Sequence, residues 1–155
     1  MVITLFASPN TWMEKGFIRH SEQRYIYTQL ERGYRRAKMD DRREQVLQKL
    51  ASTGSESEQS KWKINLARSY MRIDKLPDAL SLIESIEPER IPKWLQMERK
   101  QMQIELYLQL DMTDKVTDSI DDYEAQWPDG PYLRRIGKIK EEIQKKKNSA
   151  TKRQD

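Results

Sequence analysis

The chain has 155 residues, no cysteine and a net charge of +4, with 36% hydrophobic and 35% charged side chains. One domain with its own core fits that length, and the lack of cysteine excludes disulfides, thiol chemistry and cysteine-ligated metals. Five glycines and six prolines leave room for long amphipathic helices with wet outer faces, in a shape more elongated than spherical.

The charge is uneven. Residues 1–51 hold ten basic and six acidic side chains, residues 52–131 ten and sixteen, and residues 132–155 nine and three. Solvated helix faces account for most such patterning, and a field that steers a partner is the sharper reading. The opening Met1–Phe6 is shorter than the roughly 7–15 apolar residues of a secretory signal. No stretch approaches the roughly 20 needed to cross a membrane. A soluble, cytoplasmic protein is expected, without membrane contact.

Residues 1–20 lack a sustained pattern. Ser8-Pro9-Asn10 signals a turn, and Thr11 with Glu14 suits a capping box for one short helix. From Ser21 helical spacing sets in, with Tyr25, Leu30, Tyr34 and Ala37 near one face and Arg24, Glu31, Arg35 and Lys38 opposite. Asp40 or Asp41 fits an N-cap, with Glu44 behind it, and Val46, Leu47 and Leu50 form the next stripe. This gives a first hairpin over about 21–51.

Residues 52–60 (STGSESEQS) are small and polar, a loop or the frayed start of the next helix. From Ser60, Ile64, Ala67, Tyr70 and Met71 share a face, flanked by Leu66 and Ile73. Pro77 suits the start of the following helix, whose inner residues are Ala79, Leu80, Leu82, Ile83 and Ile86. Two further helices are expected over 94–110 and 113–127, with Thr113 as N-cap. Pro128-Asp129-Gly130-Pro131 breaks the chain. A last helix over 131–147 carries Leu133, Ile136, Ile139 and Ile143, and a disordered tail is expected over 148–155. The predicted fold class is all-α: hairpins over 21–51, 60–88 and 94–127 form a single domain over 21–147.

Shifted by 37 residues, the sequence overlays on itself. Tyr70 meets Tyr107, Asp74 meets Asp111, Ala79 meets Val116, Ile83 meets Ile120, and Ile86 meets Tyr123. In both copies tyrosine, small residue, isoleucine and large apolar residue are spaced +9, +4 and +3, and a proline follows, Pro92 or Pro128. One such hairpin cannot bury both faces alone, so hairpins must stack.

Leu66, Ala67, Tyr70, Ala79, Ile83 and Pro92, with Ile104, Tyr107, Val116, Ile120 and Pro128, resemble the tetratricopeptide repeat family over about 60–128. Trp62 stands one residue from the family's tryptophan position, Gln103 replaces its leucine, and over 21–51 no small residue follows Tyr34 at the right distance. The resemblance implies antiparallel hairpins in a right-handed α-solenoid, closed by residues 131–147 as a capping helix. It also implies a concave groove, lined by the first helix of each hairpin, that holds a peptide or helix of a partner protein.

By that register the groove presents Lys61, Ile64, Asn65, Arg68, Met71 and Arg72 from one repeat, and Glu98, Gln101, Glu105, Leu108 and Gln109 from the next. Arg68 and Arg72, one turn apart, are expected to meet acidic residues of the partner. Ile64 and Arg68 replace two residues of the family's carboxylate clamp, so that clamp is not expected. The expected function is a non-catalytic adaptor or chaperone, and homodimerisation is open because three repeats are usually needed for stability.

The alternative is nucleic-acid binding through Arg32, Arg35, Arg36, Lys38, Arg42 and Arg43, with Tyr25, Tyr27 and Tyr34 nearby for stacking. The acidic middle of the chain opposes it. His20 is the only histidine, there is no phosphate-binding glycine motif, and Asp118, Asp121 and Asp122 lie along one helix. Neither a metal site, a cofactor nor an active site is expected.

Overall fold

The computed structural model describes residues 20–151, with side chains described for residues 21–148. Helical periodicity is realised there as seven α-helices and one 3₁₀ turn, with no strand among the described residues. They are α1 (His20–Arg36), α2 (Asp40–Ala51), α3 (Glu56–Arg72), α4 (Leu76–Glu84), the 3₁₀ turn Pro88–Arg90, α5 (Lys93–Gln109), α6 (Thr113–Gln126) and α7 (Leu133–Thr151). The expected helix near Thr11 and the side chain of His20 lie outside the described residues.

The three hairpin turns are built alike. Lys38, Asp74 and Asp111 have φ of 55°, 60° and 54°, at intervals of 36 and 37 residues. Their N–H groups donate to the carbonyls of Arg35, Met71 and Leu108 at 3.4, 3.4 and 3.2 Å. The next N–H groups, of Met39, Lys75 and Met112, donate to the carbonyls of Tyr34, Tyr70 and Tyr107 at 3.0, 3.0 and 2.9 Å. This is a Schellman closure, which satisfies the last carbonyls of one helix while a left-handed residue reverses the chain. Met39 and Met112 occupy the N-cap positions and bring no side-chain cap. Asp40 and Thr113 are the first residues of their helices, so the expected caps at Asp40 or Asp41 and at Thr113 are corrected. The turn closes on the last carbonyls of the preceding helix and leaves the first N–H groups of the next without a side-chain cap.

The first hairpin is thus a third copy of the unit. Leu47, Ile83 and Ile120 follow the three tyrosines at the same distance and are 0, 0 and 1% exposed. Leu50, Ile86 and Tyr123 come next and are 1, 2 and 0% exposed. At the crossing of the two helices, Ala67 faces the position of Ala79 in the second copy and Ile104 that of Val116 in the third, and all four are buried. In the first copy these positions hold Glu31 and Arg43. Both are buried, and Arg43 Nε donates to Glu31 Oε1 at 2.8 Å. An ion pair replaces an apolar contact.

That substitution corrects the reading of α1. Its inner stripe is Tyr27, Leu30, Glu31 and Tyr34. Tyr25 is 67% exposed, and Ala37 lies exposed beyond the helix. Two residues from Tyr27, Tyr25 points nearly to the opposite side of a 3.6-residue turn. Ile73 is likewise exposed, because it occupies the C-cap of α3.

Helix α3 begins four residues before the expected Ser60. Ser55 caps it, with its N–H and hydroxyl donating to Glu58 Oε2 at 3.0 and 2.9 Å. Glu58 also pairs with Arg24 of α1. Arg24 and Ser55 together hold its carboxyl well below the usual range, at about 2. Helix α7 begins at Leu133 rather than Pro131 and continues to Thr151, past the expected end at 147.

Successive helices pack on one another, and α3 also meets α5, and α5 meets α7. One continuous core runs from Ile64 of α3 to Ile143 of α7. A separate small cluster of Tyr27, Val46 and Leu50, with Leu30, Tyr34 and Trp62 against it, joins the first hairpin to α3.

Between α6 and α7 the chain passes close over Tyr123. A Cβ on Gly130 would stand 2.5 Å from the Tyr123 hydroxyl and 3.0 Å from the Trp127 carbonyl oxygen. Tyr123 is fully buried, edge-on to Trp127 at 5.0 Å, so it has no room to retreat. Gly130→Ala is expected to cost about 1–3 kcal/mol through overpacking. Urea unfolding measures it, and an unchanged midpoint would show that the turn yields freely.

Candidate functional site

The first helices α3 and α5 and the last helix α7 lie side by side, and the face they share carries most of the residues expected to bind a partner. Lys61, Arg72 and Gln109 are exposed there and Gln101 is half-exposed. Ile64 is not part of it. At 1% exposure it belongs to the core, because it points toward the neighbouring hairpin instead of outward. Met71 and Leu108 are half-buried and pack on the core edge.

Arg68 is engaged within the chain. It donates to Glu98 Oε1 of α5 at 2.8 Å and to Asn65 Oδ1 at 3.2 Å. The expectation that Arg68 is free to meet a partner's acid is therefore corrected, whereas Arg72 has no ionic partner among the described residues. Two turns further along the same stripe of α5, Glu105 accepts from Arg135 of α7 at 2.6 Å. Exposed pairs like these stabilise little, and the three helices are held together by the apolar core beneath them.

Two aromatic residues were not anticipated on this face. Trp94 opens the α5 stripe that continues through Glu98, Gln101 and Glu105, and it is 51% exposed. Tyr132 is half-buried beside the Arg68–Glu98 pair. Burial raises its hydroxyl pKa, Glu98 adds to that, and Arg68 opposes it. Trp94 was legible as a helix-start residue at the spacing i, i+4, i+7 with Glu98 and Gln101. Tyr132 gave no such signal, since it precedes its helix.

The alternative basic patch is smaller than the sequence suggests. Arg32, Arg35, Arg36, Lys38 and Arg42 are exposed, but Arg43 is buried against Glu31. Tyr27 is buried and Tyr34 half-buried in the small cluster, which leaves Tyr25 alone as an open stacking surface. The hollow at the α1–α2 turn mixes Lys38 and Arg42 with Asp40 and Asp41.

Two open clefts lie at the other end of the hairpins. One, of about 160 Å³, lies between α3 and the link that follows α4. Its polar groups are already paired, Arg90 with Glu56 and Glu87, each at 2.7 Å, and Lys63 with Ser85 at 3.1 Å. The other, of about 260 Å³, has Arg99, Lys100 and Trp127 in its wall. Arg99 Nε donates to the Ile83 carbonyl at 3.1 Å and Lys100 pairs with Asp122 at 3.1 Å. Burial lowers the Arg99 pKa against the pull of Tyr107, Glu84 and Glu89. Asp118 and Asp121 point to solvent, and among the described residues no three His, Cys, Asp or Glu side chains are grouped to hold a metal ion. No helix of the described residues is long and apolar enough to cross a membrane.

Compared with family models, with curated proteins and with solved structures, the chain matches none.

Proposed function

We propose that the protein is a non-catalytic interaction module of tetratricopeptide-like architecture, which binds an extended or helical segment of a partner protein across the face made by α3, α5 and α7. One observation carries this reading. Three hairpins share one turn geometry and one set of buried positions at intervals of 36 and 37 residues. A chain that repeats in this way makes a continuous surface from its first helices, and this surface carries an exposed tryptophan. Tryptophan is among the residues that most often carry the binding energy of an interface.

A photo-reactive residue placed at Gln101 and, separately, at Ser81 on the outer side of α4 tests the reading. Crosslinks to a discrete partner are expected from Gln101 and not from Ser81. Trp94→Ala is expected to weaken that capture by about tenfold or more, with the far-UV circular dichroism unchanged. Equal labelling from both positions, or from neither, would put the binding face elsewhere.

A further inference from the structure

The two open clefts occupy the same place in successive copies of the hairpin. Gln59, Lys63 and Arg90 line the first, and Gln96, Lys100 and Trp127, each 37 positions later, line the second. The lysines are engaged alike: Lys63 donates to Ser85, and Lys100 to Asp122, again 37 positions on. The arginines differ. In the first cleft Arg90 is held by Glu56 and Glu87. In the second, Trp127 takes that place, and the arginine is Arg99, where the first copy has Trp62. The acids that hold Arg90 have no equivalent for it. Lys93 stands at the position of Glu56, and Glu124, at that of Glu87, pairs with Lys140 of α7.

Arg99 is half-buried and spends one donor inside the chain, Nε on the Ile83 carbonyl at 3.1 Å. Its terminal nitrogens make no hydrogen bond or ion pair among the described residues. Tyr107, Glu84 and Glu89 act on it through their charge, from beyond contact, and Glu84 accepts from the Tyr107 hydroxyl at 3.0 Å. A guanidinium drawn partly out of water ordinarily has an acid beside it. Arg99 instead lines a cleft of about 260 Å³ whose wall also holds Pro88, Glu89 and Trp127.

We propose that this cleft binds a single carboxylate, held by the terminal N–H groups of Arg99. Three features select that group. The planar guanidinium fork matches the two oxygens of a carboxylate. The cleft has one open cation, because Asp122 takes Lys100 at 3.1 Å, and Glu89 in its wall opposes a second negative charge, which selects against a phosphate dianion. Its volume lies below the roughly 300–1,000 Å³ of pockets that enclose a whole small ligand. It suits a side chain or a chain end, with Pro88 and Trp127 beside the apolar part. None of the residues named on the α3, α5 and α7 face lines it, so this site stands or falls separately from that face.

The test uses the whole chain, isotope-labelled, and follows the Arg99 Nε–H and Trp127 indole N–H signals by NMR. The probes are N-acetylglycine, which stands for a chain end, N-acetylaspartic acid α-amide, which stands for a side chain, and inorganic phosphate, each compared with sodium chloride at equal ionic strength. Saturable shifts at millimolar concentration are expected from a carboxylate of this size, and the tighter of the two probes names its source. Arg99→Lys keeps the charge, loses the fork and is expected to weaken binding about tenfold, read at Trp127. Glu89→Gln is expected to tighten it by about two- to fivefold. Arg90→Lys, in the paired cleft, leaves it unchanged. Shifts no larger than those of sodium chloride overturn the proposal, as does a carboxylate affinity that Arg99→Lys leaves intact. Should Arg99→Lys lower the melting temperature, Glu89→Gln decides, and an unchanged affinity there overturns the site. Tighter binding of phosphate than of either carboxylate overturns the assignment of the ligand.

Discussion

Arg43→Ala is expected to destabilise the protein by about 3–5 kcal/mol, because it leaves the Glu31 carboxylate buried without its partner. Both side chains lie in the α1–α2 interface, 7% and 5% exposed. For a chain of this length the melting temperature falls by on the order of 10 °C. The repeat supplies the compensating change. The corresponding positions in the third hairpin hold Ile104 and Val116, both fully buried. Glu31→Ile with Arg43→Val copies that packing into the first hairpin. The double variant is expected within about 1 kcal/mol of the parent, or above it, since apolar replacements of buried ion pairs are often neutral or stabilising. A double-mutant cycle from urea unfolding gives the coupling. Arg43→Ala costing under about 1 kcal/mol would mean that the pair is solvated and that other contacts hold the hairpin.

The same pair explains what the sequence concealed. The copies over α3–α4 and α5–α6 are visible because Ala79, Val116, Ile83 and Ile120 are apolar at helical spacing. The first copy has a charge on each side of its crossing, and charges in an amphipathic pattern are ordinarily solvent-facing. On that pattern Glu31 reads as solvent-facing and Arg43 as part of a surface patch. Two signals were still present: Leu47 and Leu50 follow Tyr34 as Ile83 and Ile86 follow Tyr70, and Lys38 follows Tyr34 as Asp74 follows Tyr70. A spacing of 36 rather than 37 and a lysine in the left-handed turn position obscured them. Ser55 with Glu58 was a readable capping box inside the small polar run, and it sets the start of α3. The binding face was legible as a set of helix positions, but periodicity within one helix does not give the contacts between helices. Of the two places the pattern allows Ile64, the core is the one it takes, and Arg68, Glu98 and Glu105 are paired within the chain.

Ile83→Ala is expected to cost about 2–5 kcal/mol and to weaken α3 through α7 together. Ile83 is fully buried within the core cluster that runs without a gap from α3 to α7. A cavity there removes contacts shared by stacked units, and in such arrays stability is mostly the sum of units and their interfaces. Leu50→Ala provides the contrast. Leu50 is 1% exposed but belongs to the small cluster with Tyr27 and Val46, which only Trp62 extends into α3. Its loss is of similar size locally, yet it is expected to lower protection mainly in α1 and α2. Polar contacts, Gln48 to the Tyr70 hydroxyl at 3.2 Å and Lys75 with Glu44 at 3.7 Å, add to that joint, and they are individually weak. Native-state hydrogen exchange separates the two cases. With Ile83→Ala the slow amides of α3, α5 and α7 should speed up in step. With Leu50→Ala those amides should keep their parental rates while α1 and α2 exchange faster. Uniform loss of protection in both variants would mean that the small cluster is energetically part of the main core, and that the first hairpin opens only when the whole stack does.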